Sequence, residues 1–136
     1  MVGAVKGDPI PSLHHLALHC QPTSIEVDKE GQPTGIGTDA LRVDDDGIST
    51  NWIEYCGGTF ETVCALFKTL RTVRKTHRVG VVQVKEVEGV GTAHAVHDPV
   101  EGSRPNPGHA LIVGVKPDDV KTLRAIAVLF ELRQFV

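Results

Sequence analysis

Aromatic side chains are scarce in this sequence, which has four Phe, one Tyr (Tyr55) and one Trp (Trp52). A core must therefore come mainly from Val, Leu, Ile and Ala, and a platform of stacked aromatics gripping single-stranded nucleic acid is not expected. Long apolar runs are lacking too, and the first ten residues do not have the charged-then-apolar layout of a secretory leader. Neither a membrane span nor export is expected, and the expected location is the cytoplasm. The cysteines, Cys20, Cys56 and Cys64, are odd in number and form no C-x-x-C pair, which argues against a disulfide framework or a zinc knuckle. Also missing are G-x-x-x-x-G-K-[ST], G-x-G-x-x-G and G-x-S-x-G, the signatures of phosphate loops, dinucleotide folds and serine hydrolases. A formal charge of −3 gives no global attraction for phosphate backbones or anionic lipid.

What is present is the composition of a folded domain. Hydrophobic residues make up 40% and charged residues 23%, and 136 residues suit one domain that stands alone or as a simple homo-oligomer. Residues 1–10, with Gly3, Gly7 and Pro9, predict a loosely held arm. Leu13, Leu16, Ala17 and Cys20 fit either a short helix capped by Ser12 or a strand. Residues Ser24 to Asp28 alternate as a strand does, and Gly31 to Gly37 reads as a turn or loop. Ala40 to Val43 and Ile48 to Tyr55 predict a hairpin closed by Asp44-Asp45-Asp46-Gly47. From Thr59, a natural N-cap, Phe60, Val63, Cys64, Phe67 and Leu70 recur at three and four, predicting an amphipathic helix to about Lys75.

The β-branched run Val79, Val81, Val82, Val84 and Val87 predicts an interior strand, and Ala93 to His97 and His109 to Val115 predict two more. Between these last two, the prolines of Asp98 to Pro107 predict an irregular surface loop. A final helix is expected from Pro117, with Asp118 and Asp119 at its positive end and Val120, Leu123, Ala127 and Phe130 buried. The order implies an α+β fold: a largely antiparallel sheet with two main helices packed on one face, a two-layer sandwich.

Polar chemistry is densest around the proline loop. His94, His97 and Asp98 precede it, Arg104 and Asn106 lie within it, and His109 follows, so connected strand ends would bring His97 and His109 together. These six residues are the candidate binding site. His14, His15 and His19 include an i, i+4 pair, but no H-E-x-x-H and no acidic neighbour completes it, so no metal site is expected and no cofactor is implied. Lys68, Arg71, Arg74, Lys75, His77 and Arg78 gather at the end of the first long helix, where the macrodipole favours cations.

Glu54-Tyr55-Cys56-Gly57-Gly58 sets a thiol between a strand and a helix N-terminus, where the dipole would lower its pKa. With Pro107-Gly108-His109-Ala110-Leu111-Ile112-Val113 opening a later strand, the order of Cys at a helix start and His on a strand resembles the CHAP branch of the papain-like hydrolases. That resemblance implies Cys56 as nucleophile and His109 as its base.

The leading expectation is a cytoplasmic binding or accessory module that recognises a protein or small-molecule ligand through the His/Arg/Asn-bearing loop. The alternative is a Cys/His-dependent hydrolase or transferase using Cys56 and His109. A third is a nuclease with His97 and His109 as acid and base. Nucleic acid is otherwise not an expected partner, and the sequence leaves open whether the protein is an enzyme.

Overall fold

The computed structural model describes residues 5–44 and 46–136. Its elements in chain order are β1 (His15–Cys20), β2 (Ile25–Val27), β3 (Pro33–Ile36), β4 (Val43–Asp44), β5 (Gly47–Trp52), α1 (Phe60–Leu70), β6 (Arg78–Gln83), α2 (Val84–Glu88), β7 (His94–His97), β8 (His109–Val113), α3 (Val120–Ala127) and β9 (Glu131–Gln134). The result is a mixed α+β fold built on a seven-stranded antiparallel sheet ordered β7-β8-β5-β1-β6-β9, with β4 paired to the start of β5.

Strand alternation sorts the sheet into two apolar layers. Along β1, Leu16, Leu18 and Cys20 belong to one layer and Ala17 to the other. Register carries this across the sheet: Leu16 pairs with Val82 and Trp52, and Ala17 pairs with Val81 and Asn51. The first layer continues through Ile48, Ala95, Ala110 and Ile112 and is closed by Leu123, Ile126, Ala127 and Phe130 at α3 and by Val84 and Val87 of α2. The second holds Val63, Cys64 and Phe67 of α1 against Ala17, Val79 and Val81.

The two main helices therefore lie on opposite faces, not on one face as the sequence predicts. The physical reason sits in β6, where four consecutive residues, Val79 to Val82, are buried. Continuous burial is the mark of a strand covered on both sides. The β-branched run then stops being a strand at Gln83. Val84 and Val87 enter a five-residue helix that buries both at a spacing of three, so packing overrides β propensity.

Other boundaries move for local reasons. β1 is a strand because all six of its residues pair with β6 and Leu16 and Ala17 pair with β5 as well, while Ser12 Oγ donates to Glu88 Oε1 at 2.6 Å instead of capping a helix. α1 is capped by Thr59 in a reciprocal box with Thr62, but ends at Leu70, where Arg71 turns to an extended backbone while its N–H still donates to Phe67 O. α3 begins at Val120, because the Asp119 side chain accepts from Thr122 N and takes the cap. Val120 is consequently 54% exposed.

Residues 33–36, read from sequence as loop, pair with β2, and the hairpin of β4 and β5 forms with Val43 opposite Ile48. Asp45 of its turn, and residues 1–4 of the expected arm, lie outside the described residues. The rest of the arm is tied down: Pro9 bridges Val96, Gly7 N donates to His97 O at 2.7 Å, and Ile10 is buried.

Ile112 is fully buried within the larger layer, whereas Leu111, 8% exposed, belongs to neither apolar cluster. Ile112→Ala is expected to cost about 3–5 kcal/mol in urea denaturation and Leu111→Ala about 2 kcal/mol. A loss below about 1 kcal/mol for Ile112→Ala would contradict its placement.

Candidate functional site

On the side of the sheet that carries α1, the side chains change character from one half to the other. β1 and β6 present Ala17, Val79 and Val81 to the helix. In register beside them, β5 and β8 present Ser49, Asn51 and His109. A narrow cleft of about 10 Å³ runs over these three polar groups, bounded by Phe67 of α1, by Arg71 just past its end and by His19 of β1.

Asn51 and Asn106 are buried at 1% and 6% exposure, so each needs internal partners. They satisfy one another: Asn51 Nδ2 donates to Asn106 Oδ1 at 2.7 Å, and Asn106 Nδ2 donates back to Asn51 Oδ1 at 3.1 Å. Asn106 is held for this task by a two-way backbone bridge with Val100, which gives the proline loop a strand-like closure inside an exposed tip.

His109 Nδ1 lies 2.9 Å from Asp98 O and 3.1 Å from Asp98 Oδ2. Both partners are acceptors, so Nδ1 carries the proton and donates. In the neutral ring Nε2 then holds a lone pair, and it makes no hydrogen bond among the described residues. Asp98 is steadied on its other oxygen by Lys6 Nζ at 3.5 Å.

The six residues expected to converge do not all do so. Asp98, Asn106 and His109 come together. His97 pairs with Ala110 rather than with His109, which puts the two histidines on opposite faces of the sheet. Its ring is buried among Trp52 and Tyr55, 5.3 and 4.7 Å away between centroids, and Nε2 donates to Pro107 O at 2.7 Å. His97 and His109 therefore cannot act as acid and base on one phosphate. His94 is exposed, contacting Thr92 O, and Arg104 is exposed and donates to Leu70 O at the end of α1 at 3.3 Å.

Cys56 is in the turn after β5, ahead of the Thr59 cap, and not on the first turn of α1. Burial pushes its thiol pKa up, and Asn51 Nδ2, donating to Sγ at 3.5 Å, offsets this only in part. The expected dipole-lowered thiolate is thus reversed. The sulfur rests on Gly108, where any side chain would collide with it, and it packs against the α1 layer on the same side of the sheet as His109. Cys64 is buried on α1. Trp52, one residue from Asn51, points the other way and donates from Nε1 to His14 Nδ1 at 2.9 Å.

Sequence reasoning grouped Arg71 and His77 among the basic residues at the end of the first long helix but missed that His19 joins them. Arg71 Nη1 lies 3.3 Å from His19 Nδ1, and His19 Nε2 lies 2.8 Å from His77 Nδ1. His15 and His19 share a strand face, not a helical one, and His15 instead binds the Glu54 carboxylate at 2.7 Å. No alternation signal links position 19 to positions 71 and 77. The contact exists only because α1 and the segment after it fold back over β1.

Comparison with protein-family models, with curated proteins and with solved structures finds no match for this chain. No helix among the described residues is long and apolar enough to cross a membrane.

Burial, then the nearby Arg71 charge and His77, lower the His19 pKa to about 4. With a folded pKa below the unfolded value of about 6.5, the unfolded chain binds the extra proton first. The stability that neutral His19 contributes is complete above about pH 6.5 and is lost as pH falls towards 4. The His19 ring resonances should titrate near pH 4, and Arg71→Gln should raise that midpoint while leaving it below 6.5, because burial is the larger cause. A wild-type midpoint near 6.5 by NMR would disprove the packing of this ring.

Proposed function

We propose that the chain is a binding module that recognises a polar small molecule, or a segment of another protein, over the polar face of the β5 and β8 strands beside α1, where the cleft itself, at about 10 Å³, admits a single polar group of the ligand. One observation carries this reading: on the α1 side of two central strands, a buried amide, Asn51, stands opposite a half-buried imidazole, His109, where β1 and β6 present Ala17, Val79 and Val81 to the helix. Ser49 is exposed and free to be polar, but packing alone would favour an apolar group at buried Asn51, and burying an amide there demands the Asn51 and Asn106 pair to satisfy it. Local departures of this kind belong to functional sites.

The groups left for a ligand complement one another. The His109 Nε2 lone pair accepts, the Ser49 hydroxyl does either, and the Arg71 guanidinium donates. A peptide group or carboxamide, with one donor and one acceptor, suits that set. The proline loop then acts from behind the cleft, supplying Asp98 to orient His109 and Asn106 to hold Asn51. Three free cysteines suit a reducing setting such as the cytoplasm.

A second reading, a Cys/His-dependent hydrolase or transferase, is favoured by one further contact. Asp98 supplies the third polar group that sequence did not place, so thiol, imidazole and carboxylate lie on one side of the sheet. Against it stand the raised thiol pKa and a sulfur whose hydrogen bond runs to Asn51 rather than to the imidazole.

Titration with N-methylacetamide, a minimal peptide group, is expected to shift the backbone amide signals of Ser49, Asn51 and His109. His109→Ala should abolish the shifts while the buried Trp52 indole signal reports an intact fold. Shifts scattered over the surface, or unchanged by the substitution, would sink the binding reading. For the hydrolase, the raised pKa predicts that Cys56 alkylates slowly with iodoacetamide near neutral pH. Rapid, selective alkylation slowed by His109→Ala would reverse the order of the two readings.

A further inference from the structure

We propose that the protein carries a second, separate site for a phosphate-class oxyanion, in the concavity where Lys68, Arg74, Lys75 and His77 meet Gln134 and Phe135. This concavity has a volume of about 450 Å³, room for a phosphate and a small organic group, and every titratable side chain lining it is basic. The Arg74 and Lys75 side chains make no ion pair among the described residues. Lys68 Nζ stands at the rim, donating to Val136 O at 2.6 Å.

The hydrogen-bond chain behind the concavity fixes what His77 presents to it. A guanidinium can only donate, so the 3.3 Å contact with Arg71 makes His19 Nδ1 an acceptor. Neutral His19 then carries its proton on Nε2 and donates to His77 Nδ1 at 2.8 Å. A second proton on His77 Nδ1 would set two N–H groups against each other, so His77 carries its proton on Nε2. That nitrogen makes no hydrogen bond among the described residues and is not sealed from solvent, although His77 as a whole is only 9% exposed.

A fixed imidazole N–H thus opens into a space lined by cationic side chains and by no Asp or Glu, with Lys68 engaged at the rim by Val136 O and Arg74 and Lys75 left for a ligand. Such a set matches an anion with several acceptor oxygens, the guanidinium fork binding two of them. The helix macrodipole accounts for cations near the end of α1. It does not account for a nine-tenths-buried imidazole held in one tautomer by a relay of Arg71 and His19, with its remaining N–H unpartnered among the described residues.

The test uses the full chain with ¹⁵N-labelled histidine, observed through long-range ring correlations while inorganic phosphate or phenyl phosphate is added at constant ionic strength against sodium chloride. Before addition, His77 is expected as the Nε2–H tautomer. Each phosphate should then give a saturable shift of His77 Nε2 that chloride does not reproduce. Saturation by phenyl phosphate assigns the site to monoesters, and saturation by inorganic phosphate alone assigns it to the free ion. The double variant R74Q/K75Q, altered only at exposed side chains, should weaken binding by about tenfold or more. An Nδ1–H tautomer, a shift matched by chloride, a response that never saturates, or equal affinity in the double variant would each overturn the proposal. These residues do not line the His109 cleft, so a failure to bind N-methylacetamide there leaves this result untouched.

Discussion

Coverage of the central strands on both sides is the constraint from which the rest of this structure follows. In β1 and β6 each residue must suit the layer it faces, so Leu16 and Val82 serve the α3 side while Ala17 and Val81 serve the α1 side. A one-residue slip of register would exchange the two sets, bringing small Ala17 under α3 and Leu16 under α1. The fold therefore holds its register through two cores at once. Gly80 marks how tightly this is drawn, since a side chain there would press on Phe130.

The same alternation builds the polar cleft. β5 sends Ile48, Thr50 and Trp52 to the apolar layer and Ser49 and Asn51 to the other side, so one strand serves a core and a polar face without a bend or bulge. Placing Asn51 at the centre of a sheet is tolerable only because Asn106 returns both of its hydrogen bonds. The loop that carries Asn106 is therefore tied to the floor of the cleft, and its two ends also carry the Asp98 and His109 pair. Three features that look independent along the chain, a polar residue in a strand, a proline-rich loop and a histidine, are one hydrogen-bonded unit. His19, bound to Arg71 through one ring nitrogen and to His77 through the other, links this cleft to the basic concavity.

Much was legible in the sequence where spacing is local. The hairpin of β4 and β5, the capped start of α1 at Thr59, and the strands β7 and β8 all rest on turn chemistry or periodicity within about ten residues. The continuous burial of Val79 to Val82 was readable as an interior strand, but its consequence, a helix on each face, was not drawn from it. The grouping of Asp98, Asn106 and His109 followed from the connection between two strands. The separation of His97 from His109 depended on whether the pairing partner of His97 is residue 109 or 110, a one-residue difference that periodicity cannot resolve.

By itself, then, the sequence determined an α+β domain with a largely antiparallel sheet, the chemistry available to it, and the loop near which its polar residues would cluster. Those properties come from composition and from contacts between near neighbours in the chain. Only the tertiary structure decided which face each polar side chain takes, that Cys56 lies buried against Gly108 rather than at a helix end, and that His19, Arg71 and His77 meet. Each of these is set by register and by the return of distant segments, with separations of 52 residues for Arg71 and 58 for His77 from His19. Local spacing carries no information about partners that far apart, because what selects them is the joint burial of two cores.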